Sequence, residues 1–155
     1  MHRFAAARAR LLGAYASTVV DRRTWVVAGA VAVVATAIAV LRIEPGTRSQ
    51  LWAEDGWIFL EERYRGAGGP LDPYRGYAHL VPRVVAWVVQ STVPLQDVGL
   101  AMNVAGATIV GLMTAIVWVG ARTRVGVVPA AIATASVALL PIGSMELAGN
   151  VSNSH

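Results

Sequence analysis

Two acidic residues stand side by side in Trp52-Ala53-Glu54-Asp55-Gly56-Trp57-Ile58-Phe59-Leu60, in an aromatic and apolar setting. A carboxylate in a region of reduced dielectric needs a proton, a cation or a hydrogen-bond donor. Asp55 or Glu54 could serve as the general base on a sugar hydroxyl, or the two could help to hold a divalent metal ion. The plainer alternative is structural: Asp55 caps a helix over 56–65, its carboxylate oxygen accepting a free amide.

A second group lies in Tyr74-Arg75-Gly76-Tyr77-Ala78-His79-Leu80-Val81-Pro82-Arg83. His79 and Arg83 are four apart, so a helix sets them on one face. Together they suit a phosphate or pyrophosphate at headgroup level, because arginine makes bidentate contacts to such anions. Ordinary snorkelling to lipid phosphate is the competing account. The third group is C-terminal. Glu146 is followed by Asn150, Asn153 and His155, a set that could add ligands to a cation or a sugar, or could simply form an exit loop. Asn150-Val151-Ser152 matches the glycosylation acceptor, a short and weak pattern. Gly66–Gly69 lacks the lysine and preceding strand of a phosphate-binding loop, and neither a His-Glu-x-x-His helix nor a Gly-x-Ser-x-Gly elbow occurs.

These groups must be positioned by elements that are mostly apolar. The chain has 155 residues, 55% of them hydrophobic and only 14% charged, with a mean hydropathy of +0.54. A water-soluble domain carries about 25% charge, so the composition argues for an integral membrane protein. The net charge is +4, and every basic residue is Arg. The arginines form no single stripe of the kind that binds nucleic acid. Five of them, Arg3, Arg8, Arg10, Arg22 and Arg23, precede the first apolar block, and Arg122 and Arg124 separate two later ones. Both are places where a membrane protein holds its cytoplasmic ends. The absence of Cys excludes disulfides, thiolate metal sites and Cys nucleophiles.

The expected fold is therefore all-α and membrane-integral, in the cell membrane, with three transmembrane helices and a cytoplasmic N-terminus. An Arg-rich leader, 1–24, precedes a transmembrane helix over 25–43. An external loop, 44–97, carries two interfacial helices, 50–65 and 79–93. A second span, 98–120, leads through a cytoplasmic turn, 121–125, to a third, 126–143, and an external tail, 144–155. The block from His79 to Val93 decides the count. Read as a span, it gives four transmembrane helices and places Arg122 and Arg124 outside. It holds only about 15 residues before Pro94, fewer than the ~17 a span needs. It also carries a polar stripe, His79, Arg83, Ala86 and Gln90, as an interfacial helix does. A cleaved signal peptide ending near Ala37-Ile38-Ala39 is the alternative for the first block. Asn103, within the second span, is a candidate for an inter-helix hydrogen bond, and Gly106 and Gly111 permit close helix approach.

The order of these features resembles the N-terminal module of the GT-C glycosyltransferases, multi-span membrane enzymes that use polyprenyl-phosphate sugars. The likeness rests on Glu54-Asp55-Gly56, on Gly76-Tyr77-Ala78-His79-Leu80-Val81-Pro82-Arg83, and on Pro141 through Glu146 to Asn150 and Asn153. It covers roughly residues 20–155 and is nearest to actinobacterial members of that superfamily. The resemblance implies that Asp55, or Glu54 beside it, stands at the first-loop catalytic acid. It implies that His79 and Arg83 lie near the lipid-phosphate donor and that Glu146 adds a further external acid. Members have many more spans, so the chain is expected to be an N-terminal piece that needs further transmembrane helices. The non-catalytic alternative is a small membrane scaffold or assembly subunit that binds lipid or a partner protein.

Overall fold

The computed structural model describes residues 20–52 and 55–139, all of whose regular elements are helical. Glu54, Glu146, Asn150 and Asn153 lie outside the described residues, as do most of the leader and all of the expected tail.

Helix α1, Arg22–Arg42, starts where Asp21 accepts hydrogen bonds from the Thr24 amide at 2.7 Å and the Thr24 hydroxyl at 2.6 Å. Its C-terminal carbonyls are met by Arg48, whose Nε donates to Ile43 O at 3.0 Å and whose Nη2 donates to Leu41 O at 3.4 Å. Basic groups suit this end, where carbonyls lack helical partners. Between its caps α1 is apolar on every side. Only small residues, Thr24, Ala28, Ala35 and Ala39, are buried, while Trp25, Val26, Val33, Val34 and Leu41 face outward.

The external loop of the sequence reading contains a π-helical turn, Asp55–Leu60, running directly into a short helix α2, Glu61–Tyr64. Helix α3 is Leu80–Thr92 and α4 is Val98–Val125. Gly126, with φ of 90°, breaks the chain before α5, Val127–Leu139. Pro129 falls in the first turn of α5, where no helical donor is lost. The first loop helix thus begins at Asp55, five residues later than the sequence indicated. Arg122 and Arg124 occupy the last turn of α4 instead of a separate turn, which suits a cation near helix carbonyls.

Side-chain contacts fix the directions of the long helices. Trp118 Nε1, late in α4, donates to Thr24 O at the start of α1, 3.3 Å away. Near the other end Asn103 Nδ2 donates to Arg48 O at 2.7 Å and Gln50 O at 2.9 Å. Helices α1 and α4 are therefore antiparallel. Helix α5 returns alongside α1, and Arg42 donates to the Ala138 and Leu139 carbonyls at 3.1 and 2.9 Å. Asn103 bonds the loop and not a neighbouring helix; its buried amide fastens residues 48–50 over the top of α4.

Two helices are long and apolar enough to cross a bilayer: α1, and α4 with the turn preceding it, Leu95–Val125. Twenty-one residues of α1 span about 31 Å, matching a hydrocarbon core of ~30 Å. Helix α5 is apolar but shorter over its described length.

At Gly111 the backbone of α4 lies directly against α1. A Cβ there would overlap Thr36 Oγ1 and lie 2.5 Å from Ala32 O, while one at Gly29 would meet nothing. Gly111→Ala and Gly29→Ala gain the same helix propensity, so their difference isolates the overlap. We expect Gly111→Ala to be less stable than Gly29→Ala by about 1–3 kcal/mol, the range for overpacking. Thermal unfolding of the two variants in detergent measures this.

Candidate functional site

The π-helical turn brings Asp55, Phe59 and Leu60 inward, with 1%, 1% and 2% of their surfaces exposed. The Asp55 amide donates to Trp52 O at 3.0 Å. Gly56 packs directly against Leu51, leaving no room for a side chain. Single π-turns within helical segments are frequent at functional positions. Here the turn buries a carboxylate one turn ahead of the aromatic ring on which the rest of the cluster is built.

That ring, Phe59, packs with Val98, Met102, Ala86 and Val89 in the main core of this end of the molecule. Tyr74 meets it edge-on at 6.0 Å between centroids, and His79 lies 5.5 Å from Phe59 and 5.7 Å from Tyr74. The Arg83 guanidinium sits over the same ring, 5.3 Å from its centroid. A tight reverse turn delivers His79. Tyr74 and Tyr77 exchange both backbone hydrogen bonds, with Arg75 at φ 50° and Gly76 at φ 84°. Positive φ at both central positions defines a type I′ turn, which favours Gly.

Arg83 is 3% exposed, and its Nη1 donates to Glu62 Oε2 at 2.8 Å. Gly68, at φ 70°, closes over this pair. A Cβ there would lie 2.5 Å from Glu62 Oε2 and 2.8 Å from Arg83 Nη1. Both the left-handed conformation and the close approach require glycine. Three further donors, Trp52 Nε1, Arg63 Nε and Arg83 Nε, are buried without a hydrogen-bond partner.

Of the residues singled out in the sequence, the structure places Asp55, His79 and Arg83 in one region and joins His79 to Arg83 through Phe59. Of the polar stripe, Arg83 and Ala86 are buried, and His79 and Gln90 are half-buried. Pro82, Arg83, Ala86 and Val89 turn inward, and Leu80, Val81, Val84, Trp87 and Val88 turn out. A periodic polar face marks the solvated side only when water is the surrounding medium. Here Arg83 is bonded to Glu62, His79 packs against Phe59 and Tyr74, and the outward face is apolar. The sequence reading did not select Glu62, Phe59, Tyr74 or Gly68. One available signal was that a buried arginine demands an acid, and Glu61 and Glu62 are the nearest acids on a preceding helix. The Gly-rich break at 66–69 was a second signal.

No group of three His, Asp or Glu side chains among the described residues is placed to hold a metal ion. Comparison with protein-family models, with curated proteins and with solved structures found no match. Fold and site together define a class: an all-helical chain with two helices of membrane-crossing length and a folded loop stacked at one end.

Proposed function

We propose that this chain is a multi-pass membrane module of glycosyltransferase-like character. Its external loop would direct transfer of a sugar from a polyprenyl-phosphate donor, with Asp55 as the base that takes the acceptor proton. The observation that carries the reading is the burial of Asp55 at the head of a π-helical turn. His79 would border the donor. Arg83 would act through the loop's shape, since its guanidinium is already bonded to Glu62.

Membrane integration rests on the apolar outer surfaces of α1, α4 and α5. In lipid such surfaces are at no disadvantage, and helices satisfy their own backbone groups. Charge orients the bundle with Arg22, Arg23, Arg122 and Arg124 inside. Helix α3, 13 residues or about 20 Å long, is too short to cross and would lie against the outer leaflet on its apolar face.

A second reading, a non-catalytic scaffold, is favoured by the Arg83–Glu62 pair under Gly68, which makes the loop a fixed platform. The deciding experiment is transfer of a labelled sugar from a polyprenyl-phosphate donor by membranes containing the protein. Transfer lost in Asp55→Asn supports the enzyme, and no transfer from correctly inserted protein supports the scaffold. Cysteine labelling reads the insertion. Trp87→Cys should react from outside and Arg122→Cys only from the cytoplasmic side; Trp87→Cys labelled only from inside would overturn the path.

A further inference from the structure

The end of the bundle opposite the loop carries a feature that sugar transfer does not use. There the start of α1 and the end of α4 enclose a cleft of about 290 Å³, lined by Asp21, Thr24, Arg122, Thr123 and Arg124. Arg22 and Arg23 occupy the first turn of α1, where the helix field disfavours cations. The two hydrogen bonds from Thr24 hold the Asp21 carboxyl below the usual carboxylate range, and the positive charges of Arg122 and Arg23 add to the effect. The carboxylate is thus ionised and already engaged with Thr24, and it shares the cleft with the guanidinium groups of Arg122 and Arg124. The Arg122 guanidinium makes no hydrogen bond within the described residues, and Arg124 Nη1 is turned back onto Gly120 O at 3.0 Å.

The cleft continues along the same seam. Immediately beyond Thr24 on α1, and two residues before Arg122 on α4, begins an apolar groove of about 650 Å³ lined by Trp25, Gly29, Ala32, Leu112, Ile116 and Gly120. Its length, from Trp25 to Ala32, is about 11 Å, most of the depth of one leaflet at half of ~30 Å. Positive charge at the mouth and a purely apolar channel behind it complement one kind of molecule.

We propose that the Arg-rich end of the α1–α4 seam binds a single anionic phospholipid. Its phosphate sits against Arg122 and Arg124, which both line the cleft, and one acyl chain lies in the groove against Trp25. The inference shares the membrane-spanning reading and is independent of the catalytic one.

The test uses the protein in vesicles of zwitterionic lipid doped with a small fraction of lipid brominated on its acyl chains. The signal is fluorescence quenching of Trp25, obtained by subtracting the Trp25→Phe variant. A brominated anionic phospholipid should quench Trp25 at a mole fraction on the order of tenfold lower than its zwitterionic counterpart, given the attraction of basic residues for anionic headgroups. The preference should vanish in the Arg122→Gln/Arg124→Gln double variant. It should strengthen in Asp21→Asn, which removes the negative charge while keeping a good helix cap. Equal quenching by the two lipids overturns the proposal, as does a preference that survives the double variant or falls in Asp21→Asn. Loss of the preference on adding inorganic phosphate reassigns the site to a free anion and overturns the lipid. Quenching by neither lipid overturns bilayer insertion itself, a distinct failure.

Discussion

Glu62→Ala should destabilise the protein by about 3 kcal/mol, while Arg83→Met should cost only about 1–2 kcal/mol. The pair is asymmetric. Arg83 is 3% exposed, whereas the Glu62 side chain retains 35% of its surface in contact with the surroundings. Removing the carboxylate leaves a guanidinium enclosed by Phe59, α3 and the Gly68 loop, with an Nε that already lacks a partner. Orphaning a buried charge typically costs about 3–5 kcal/mol, and partial access of water through the vacated site places this case at the lower end. Removing the arginine leaves an acid that can be hydrated, so the loss is chiefly the cation–π contact, about 1–2 kcal/mol when desolvated. The double variant Glu62→Ala/Arg83→Met should then resemble Arg83→Met alone. Denaturant unfolding in detergent, followed by tryptophan fluorescence, measures all three. A larger loss for Arg83→Met than for Glu62→Ala would show that the guanidinium is not effectively enclosed.

The same pair shows where reading the sequence stops. The long helices were legible because a span needs a long uninterrupted apolar run, and Trp25–Leu41 and Val98–Gly120 are such runs. Their antiparallel arrangement was legible from the placement of the arginines. Asn103 stood out as a polar residue inside an apolar block, yet its partners are the carbonyls of Arg48 and Gln50, 55 and 53 residues away, in a segment with no periodicity. Glu62 and Arg83 are 21 apart and meet because the chain folds back through Gly66, Gly68 and the Tyr74–Tyr77 turn. Each turn is locally recognisable, but their combined geometry is not. The inward polar face of α3 was misread for a different reason. The pattern gives two faces and does not say which one meets the protein. That is set by the partners the fold supplies, here Glu62 for Arg83 and the Phe59 ring for His79 and Arg83. The π-helical turn at Asp55–Leu60 has no composition signal that separates it from an ordinary helix start.

If the chain acts as proposed, Asp55→Asn should reduce sugar transfer by about 10²–10⁴-fold, the contribution of a positioned general base, without changing the amount of protein recovered in membranes. Asparagine matches aspartate in size, so the backbone bond from residue 55 to Trp52 O and the packing around Phe59 are retained. What is lost is the capacity to accept a proton from the attacking hydroxyl. A base operates on the reacting atoms, so the fall belongs in kcat, with KM for the donor little changed. The capping alternative makes a different prediction. Asparagine is as good a helix cap as aspartate, so if Asp55 only caps, Asp55→Asn retains both stability and transfer, and Asp55→Ala loses about 1 kcal/mol of stability. Comparing Asp55→Asn with Asp55→Ala in the transfer assay and in unfolding therefore separates proton acceptance from hydrogen-bond acceptance. Glu54→Gln serves as the neighbouring comparison, because successive residues on a chain point in different directions and only one of two adjacent acids can face a given hydroxyl. Full transfer by Asp55→Asn together with its loss in Glu54→Gln would move the base by one residue. Full transfer by both would remove the carboxylates from the chemistry and leave the buried acid at the head of the π-turn with a purely architectural role.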